Sequence, residues 1–345
     1  IYKMEVKTIL VTGGAGYIGS HTVRLLAKKN YKVIVVDNLV YGHEEAIVDE
    51  SVKLVKANIA DGEAMTALFS ENKIDAVLHF AAYAYVGESV KDPAKYYLNN
   101  IVAPLSLIEV MRAHNCDKFI FSSTCASYGN PVRLPIDENH PQDPINPYGQ
   151  SKLMLEKILK DYGTAYNLNY FFLRYFNASG ASRDGLIGED HDPETHLIPL
   201  VIEAAKGTRG PVTVFGTDYD TPDGTCIRDY IHVEDLGRAH ILALEHLLNN
   251  KGSAICNLGT GKGYSVKEVI ETVEKVTGLK VPVVYGDRRE GDPAVLVSDP
   301  SAAKKILGWV AEYQDLSEVV ETAWKWHNGK NNGKYSSKSK GVQVA

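Results

Sequence analysis

The sequence predicts an α/β fold: a doubly wound parallel sheet with helices on both faces and a smaller, mostly C-terminal lobe. Three observations carry this expectation. An apolar run, Thr8-Ile9-Leu10-Val11, leads into a glycine-rich turn, Thr12-Gly13-Gly14-Ala15-Gly16-Tyr17-Ile18-Gly19, and then a helical stretch, His21 to Asn30. A second strand, Lys32 to Val36, ends in the acid Asp37. Strand and helix signals then alternate to about residue 180, the pattern that crossover connections build into parallel sheet.

The turn is where such a sheet binds a phosphate. Gly13 allows a tight turn, Gly16 a close approach of backbone to a pyrophosphate, and Gly19 close packing of helix on strand. The helix start offers unpaired N–H groups and a partial positive charge. The spacing is G-x-x-G-x-x-G, so the turn alone is weak evidence, and a ligand-free βα turn is the bland alternative. Asp37 tips the balance. A carboxylate at the end of the second strand can accept from both adenosine ribose hydroxyls and repels a 2′-phosphate, which favours NAD over NADP. The expected architecture is therefore a Rossmann-type sheet.

The remaining elements follow in order. Val52 to Val55 reads as a strand, Gly62 to Glu71 as a helix and Ile74 to Phe80 as a central strand. Pro93 to His114 carries Leu98, Val102, Leu105, Ile108 and Met111 at helical intervals and reads as one long helix. Lys118 to Ser122 is a strand. Pro147 suits a first helical turn capped by Asn146, in a helix running to Tyr166. Leu168 to Tyr175 is a further strand. Ser179 to Glu194 is polar and glycine-bearing and reads as loop. Helices are expected at Leu197 to Gly207, Val233 to Asn249, Ser265 to Thr277 and Leu316 to Trp326, the third with a capping box of Ser265 and Glu268. Strands are expected at Val212 to Phe215, Ala254 to Leu258 and Lys280 to Tyr285, the middle one returning to the first sheet. The chain divides into a cofactor-binding domain (1–180), a substrate lobe with segments returning to it (181–328) and a solvated polar tail (329–345).

Composition narrows the class. A net charge of −6 over 345 residues gives no basic field for nucleic acid. No apolar run approaches the ~18 residues of a membrane span, and Ile1 to Val6 carries Lys3 and Glu5 without the apolar core of a leader. Cys116, Cys125, Cys226 and Cys256 lie far apart, so neither a disulfide framework nor a metal site is expected, and a cytoplasmic location is the default.

The chemistry gathers at Tyr148-Gly149-Gln150-Ser151-Lys152. Residues four apart share a helix face, so the Tyr148 phenol and Lys152 ammonium point the same way. A nearby ammonium lowers a phenol pKa from its usual value near ~10, which is what removing a proton from a sugar hydroxyl needs. Ser122-Ser123-Thr124 ends the preceding strand, and any of the three hydroxyls can relay a proton to Tyr148.

With these pieces in place, the chain resembles the NAD-dependent UDP-sugar 4-epimerases of the extended short-chain dehydrogenase/reductase superfamily. The resemblance spans Thr8 to Trp326 and rests on VTGGAGYIGSH (11–21), VVDNL (35–39), HFAAYAYVGES (79–89), YYLNN (96–100), FSSTCASYG (121–129), NPYGQSK (146–152), LRYFNASGA (173–181), GTDYDTPDGTCIRDYIHVEDL (216–236) and RREGDP (288–293). It implies Thr124, Tyr148 and Lys152 as catalytic residues. It places Gly13, Gly16, Tyr17, Ile18, Gly19, Asp37, Asn38, Asn58, Ile59, Phe80, Ala81, Ala82, Asn99 and Phe176, with the catalytic three, at NAD. It places Asn177, His196, Leu197, Thr213, Val214, Phe215, Arg228, Arg289, Asp292 and Leu296, with Thr124 and Tyr148, at the UDP-sugar. The implied reaction is reversible epimerisation through a transient 4-keto sugar, in a homodimer, with UDP-glucose and UDP-galactose as first substrates. The N-acetylated pair follows if Leu296 leaves room, and UDP-xylose/UDP-arabinose is the alternative suggested by STCASYG. Two positions depart from the family: Ala84 stands for a lysine and Asn58 for an aspartate. A dehydratase is disfavoured because Cys125-Ala126 follow Thr124 where those enzymes carry carboxylates, and intact Tyr148 and Lys152 disfavour a non-catalytic sensor.

Overall fold

The computed structural model describes residues 6–289, 291–330 and 332–335. Glu290, Ile1 to Lys3 and most of the 329–345 tail lie outside the described residues.

Seven parallel strands form the central sheet. Six come from the first half of the chain: β1 (Thr8–Thr12), β2 (Lys32–Asp37), β3 (Lys53–Lys56), β4 (Ala76–His79), β5 (Lys118–Thr124) and β6 (Asn169–Tyr175). Ala254–Leu258 returns to pair with β6, giving the order Ala254–Leu258, β6, β5, β4, β1, β2, β3. The order reverses direction between β1 and β4, so a crevice opens beyond their C-terminal ends. β1 is buried along its whole length, as a strand with helices on both faces must be.

Helices α1 (Tyr17–Lys28), α2 (Gly62–Glu71), α5 (Ala103–Ala113) and α6 (Pro147–Tyr166) cover the sheet, and the short α3 (Val86–Lys91) and α4 (Pro93–Tyr97) pack against α6. Leu26, Leu244 and Leu258 share one apolar core with β1, whereas Leu10, Phe69, Leu107 and Leu155 share another. The helix Val233–Leu248 thus packs on the first sheet although it lies late in the chain. A third core, around Val201, Val214, Val269 and Val320, belongs to the smaller lobe.

Three readings change. The helix read from Pro93 to His114 is interrupted by a π-turn at Leu98–Val102, between α4 and α5. One extra residue per turn leaves the apolar spacing nearly intact, so periodicity does not register it. The helix read from His21 starts at Tyr17 with Gly16 as its cap. The solvated tail fails at Tyr335, which is buried and packs on Trp326 and His43, with ring centroids 4.9 and 4.8 Å apart.

Candidate active site

One continuous cleft of about 1370 Å³ runs from the glycine turn to the smaller lobe. At one end stands the turn after β1. Gly13 has φ +68°, and a Cβ there would sit 2.5 Å from the Ala81 nitrogen; one at Gly19 would sit 2.3 Å from the Gly13 carbonyl oxygen. No side chain fits either position: the turn packs directly on the chain after β4, and α1 packs directly on the turn. Gly16 caps α1 without a side-chain bond. Asp37 closes the turn: its carboxylate accepts from the backbone N–H of Ala15 at 3.0 Å and of Leu39 at 2.8 Å. These bonds fix its position at the cleft wall, where it can still accept from further donors. The turn fits a dinucleotide.

Tyr17, Ile18, Asn38, Asn58, Ile59, Phe80, Ala81, Ala82, Asn99 and Phe176 line the same cleft. The Tyr17 hydroxyl donates to the Gly180 carbonyl at 2.6 Å, and the Asn58 side chain accepts from the Ala60 N–H at 2.9 Å. Ala84 lines the cleft as well. The ammonium of Lys95 lies 4.4 Å over the neighbouring Tyr83 ring and pairs with Glu88 at 2.7 Å.

At the centre, α6 delivers Tyr148 and Lys152. The Asn146 side chain accepts from the Gly149 N–H at 2.8 Å, fixing the helix start, and Gly149 lets it lie against the Ala126 carbonyl, where a Cβ would come within 2.5 Å. The three hydroxyls ending β5 separate by partner. Ser122 donates to the Tyr175 hydroxyl at 3.2 Å, and Ser123 donates to buried Glu156 at 2.6 Å. Thr124 faces the cleft, as Tyr148 does, and its hydroxyl oxygen accepts from the Ala126 N–H at 3.1 Å. Geometry thus singles out Thr124.

The electrostatics depart from the expected pairing. Burial raises the Tyr148 pKa well above 10, with Tyr175 adding to the shift and Thr124 opposing it. Lys152 is not what sets this value. Its ammonium donates instead to the Ser122 carbonyl at 2.9 Å, and burial pulls its own pKa from 10.5 down to about 7, with Glu156 opposing. Helix spacing places the two groups on one face, but the next strand decides where the nitrogen bonds.

At the far end, Asn177, His196, Arg228, Arg289, Asp292 and Leu296 line the cleft. Arg228 pairs with Asp292. It does not pair with its neighbour Asp229, which is buried and accepts from Thr260, Gly261 and Ser298. The Arg289 guanidinium lies 4.0 Å over the Phe215 ring. Leu197, Thr213, Val214 and Phe215 stand outside the cleft lining. Val214 is in the lobe core because alternation along Val212–Phe215 turns Val212 and Val214 inward. Leu197 packs against that core too. Sequence reasoning passed over Tyr83, Tyr85, His191 and Glu194, which also line the cleft. The signal for the last two was the spacing Glu189-x-His191-x-x-Glu194-x-His196 within a segment read only as loop.

The chain is similar to known proteins over nearly its whole length. The sequence profile of the NAD dependent epimerase/dehydratase family matches residues 9–259. A UDP-glucose 4-epimerase from Halalkalibacterium halodurans is 51% identical over 335 residues, 97% of this chain and 99% of that protein. The crystal structure of UDP-glucose 4-epimerase from Brucella ovis in complex with NAD superposes with a TM-score of 0.90 at 51% identity, covering 92% of this chain and 98% of that one. The UDP-glucose 4-epimerase from Bifidobacterium longum, in complex with NAD+ and UDP, gives a TM-score of 0.89 at 43% identity over 95% of this chain and all of the other, 100%.

Proposed function

Because the chain belongs to the NAD-dependent epimerase/dehydratase family, we propose that it interconverts UDP-glucose and UDP-galactose by reversible epimerisation at C4. The observation that carries this reading is the joining of Thr124 and Tyr148 on one cleft that has a dinucleotide turn at one end and two arginines at the other. NAD, when bound, supplies the acceptor and donor of hydride at the sugar carbon. Gly13, Gly16, Gly19 and Asp37 would hold it. Tyr148 takes the proton of the sugar 4-hydroxyl and returns it, and the Thr124 hydroxyl orients that exchange. Arg228 and Arg289 hold the substrate diphosphate, since a guanidinium offers two parallel donors to phosphate. The anchored diphosphate lets the sugar turn without leaving the cleft.

We extend the reading to the sugar. Leu296 pairs in register with Arg228 and packs beside Phe176 on the cleft wall. A leucine there leaves room for a C2 N-acetyl group that a tyrosine would occupy, so the N-acetylated pair is a second substrate. The protein acts as a homodimer through the helices at 93–114 and 147–166, where Leu98 is 62% exposed and Val102 50%.

The test is direct. Purified protein is incubated with UDP-galactose, and UDP-glucose is resolved by anion-exchange chromatography. Wild type should approach one equilibrium mixture from either sugar, and Tyr148→Phe should lose turnover by orders of magnitude while keeping its fold. Absence of conversion by folded, NAD-loaded wild type overturns the activity, and wild-type rates in Tyr148→Phe overturn the role of the phenol.

A further inference from the structure

The segment between Gly188 and Leu197 holds a cluster of titratable side chains with no part in the proton and hydride transfers described above, although His191, Glu194 and His196 also line the cleft. Glu189, His191, Glu194 and His196 each offer one ligand atom, and these four atoms lie within 4.8 Å of one another. Glu189 is only 3% exposed. Its Oε1 has no hydrogen-bond partner among the described residues, and neither has the Nδ1 of His191. Yet His191 Nδ1 lies 3.1 Å from that oxygen, and His196 Nδ1 also closes on it. Two imidazole nitrogens thus crowd one buried carboxylate oxygen without hydrogen-bond alignment. Glu194 approaches both rings, at 3.7 Å from His191 and 3.4 Å from His196.

Charge makes the arrangement demanding. With both imidazoles neutral, as metal ligation requires, the two carboxylates leave an excess of two negative charges, which a buried site carries only against two protons on the rings or one dication. A single dication cancels it and gives every converging lone pair a partner. The structure assigns to Glu189, His191, Glu194 and His196 a binding site for one divalent cation of the zinc class, in the wall of the cleft. Two imidazole nitrogens and two carboxylate oxygens are a donor set that zinc, cobalt and nickel accept and that calcium and magnesium, which prefer all-oxygen shells, do not. Ligands of a tetrahedral site stand about 3.4 Å apart, so small side-chain rotations close the observed spread.

The backbone around the cluster is already anchored. The Trp326 indole donates to the Glu189 carbonyl at 2.9 Å, and the Tyr335 N–H donates to the Asp190 carboxylate at 2.9 Å. His43 bonds the Asp190 carbonyl at 3.0 Å. The His191 ring meets the edge-on rings of Tyr17 and Tyr85 at 6.1 and 6.2 Å, so a cation here ties the loop to the cofactor turn. That consequence rests on the proposed function; the binding site does not.

The experiment uses the tag-free full chain, treated with chelator and dialysed. Zinc and cobalt are added separately, and bound metal is counted by mass spectrometry after gel filtration. We expect one equivalent of zinc per chain, a higher melting temperature, and intense visible cobalt bands of tetrahedral type. His191→Ala and Glu189→Gln should each weaken binding at least ~10-fold, with far-UV circular dichroism confirming that they fold. Magnesium should not compete. Less than a tenth of an equivalent bound at micromolar zinc overturns the assignment. So does equal binding by wild type and the folded variants, which would leave the cluster a pair of protonated-histidine ion pairs. Because metal is counted without substrate, the result is independent of whether the chain epimerises UDP-sugars.

Discussion

Replacing Lys152 by methionine should make the fold more stable at pH 6 and much less so at pH 9. Burial lowers the Lys152 pKa from 10.5 to about 7, against a smaller opposing effect of Glu156. The unfolded chain therefore holds a proton between pH 7 and 10.5 that the folded chain does not. The resulting penalty is fully present below pH 7, shrinks as pH rises, and vanishes above 10.5. That difference corresponds to about 5 kcal/mol at pH 6 and about 2 kcal/mol at pH 9. Methionine removes the penalty and keeps an unbranched chain of similar length over the Phe121 ring, which the ammonium now faces at 4.9 Å. Against this, the Ser122 carbonyl loses its donor, at about 1–3 kcal/mol independent of pH. The net expectation is a gain of roughly 2–4 kcal/mol at pH 6 and about zero at pH 9. Urea unfolding of cofactor-stripped wild type and Lys152→Met at pH 6, 7.5 and 9 measures this, since titrations of groups that do not interact with Lys152 cancel in the difference. The difference in stability should fall by about 3 kcal/mol across that range. Parallel stability curves would refute a buried lysine that titrates near neutrality.

Other outcomes follow from the same cleft. Protein purified without added cofactor should release NAD(H) on heat denaturation, detectable by absorbance and enzymatic cycling, and NADP should not replace it, since a carboxylate at the end of β2 repels a 2′-phosphate. Static light scattering should give twice the chain mass, and charged substitutions at Leu98 and Val102 should halve it. Leu296→Tyr should depress kcat/KM for UDP-GlcNAc selectively while changing UDP-glucose by less than ~10-fold; equal losses for both sugars would place the selectivity elsewhere.

What was legible in the sequence was chiefly local. The Asn146 cap, the capping box at Ser265 and Glu268, and the strand–turn–helix at Thr8 to Gly19 depend on neighbours within a few residues, and all are present. The two-residue strands Ile227–Arg228, Tyr264–Ser265 and Val295–Leu296 were not read, because each exists only by pairing with the others across the lobe. Tyr335 looked like part of a polar tail because its burial depends on Trp326 and His43, the latter nearly three hundred residues away in sequence. The Glu189 to His196 cluster escaped for a related reason. Its spacing matches neither a strand nor a helix period, so a search for periodicity returns loop, while the convergence of its side chains comes from backbone anchors at Trp326 and Tyr335.

The pairing of Tyr148 with Lys152 shows where residue spacing stops being enough. A four-residue interval fixes a shared face, yet the strength of an ammonium's pull on a phenol depends on whether the nitrogen is charged and what it already bonds. Here burial acts on both groups in the direction of neutrality: it raises the phenol and lowers the amine. Glu156, one turn further along α6, opposes this at Lys152, and its carboxylate is itself held by Arg174 and Ser123. A phenolate at Tyr148 therefore needs positive charge in the cleft beyond what this pair supplies at neutral pH. NAD, the cofactor of this family, carries such a charge on the ring of its oxidised form. Proton abstraction at Tyr148 should accordingly depend on the oxidation state of the cofactor, so that the oxidised form favours loss of the sugar proton and the reduced form its return.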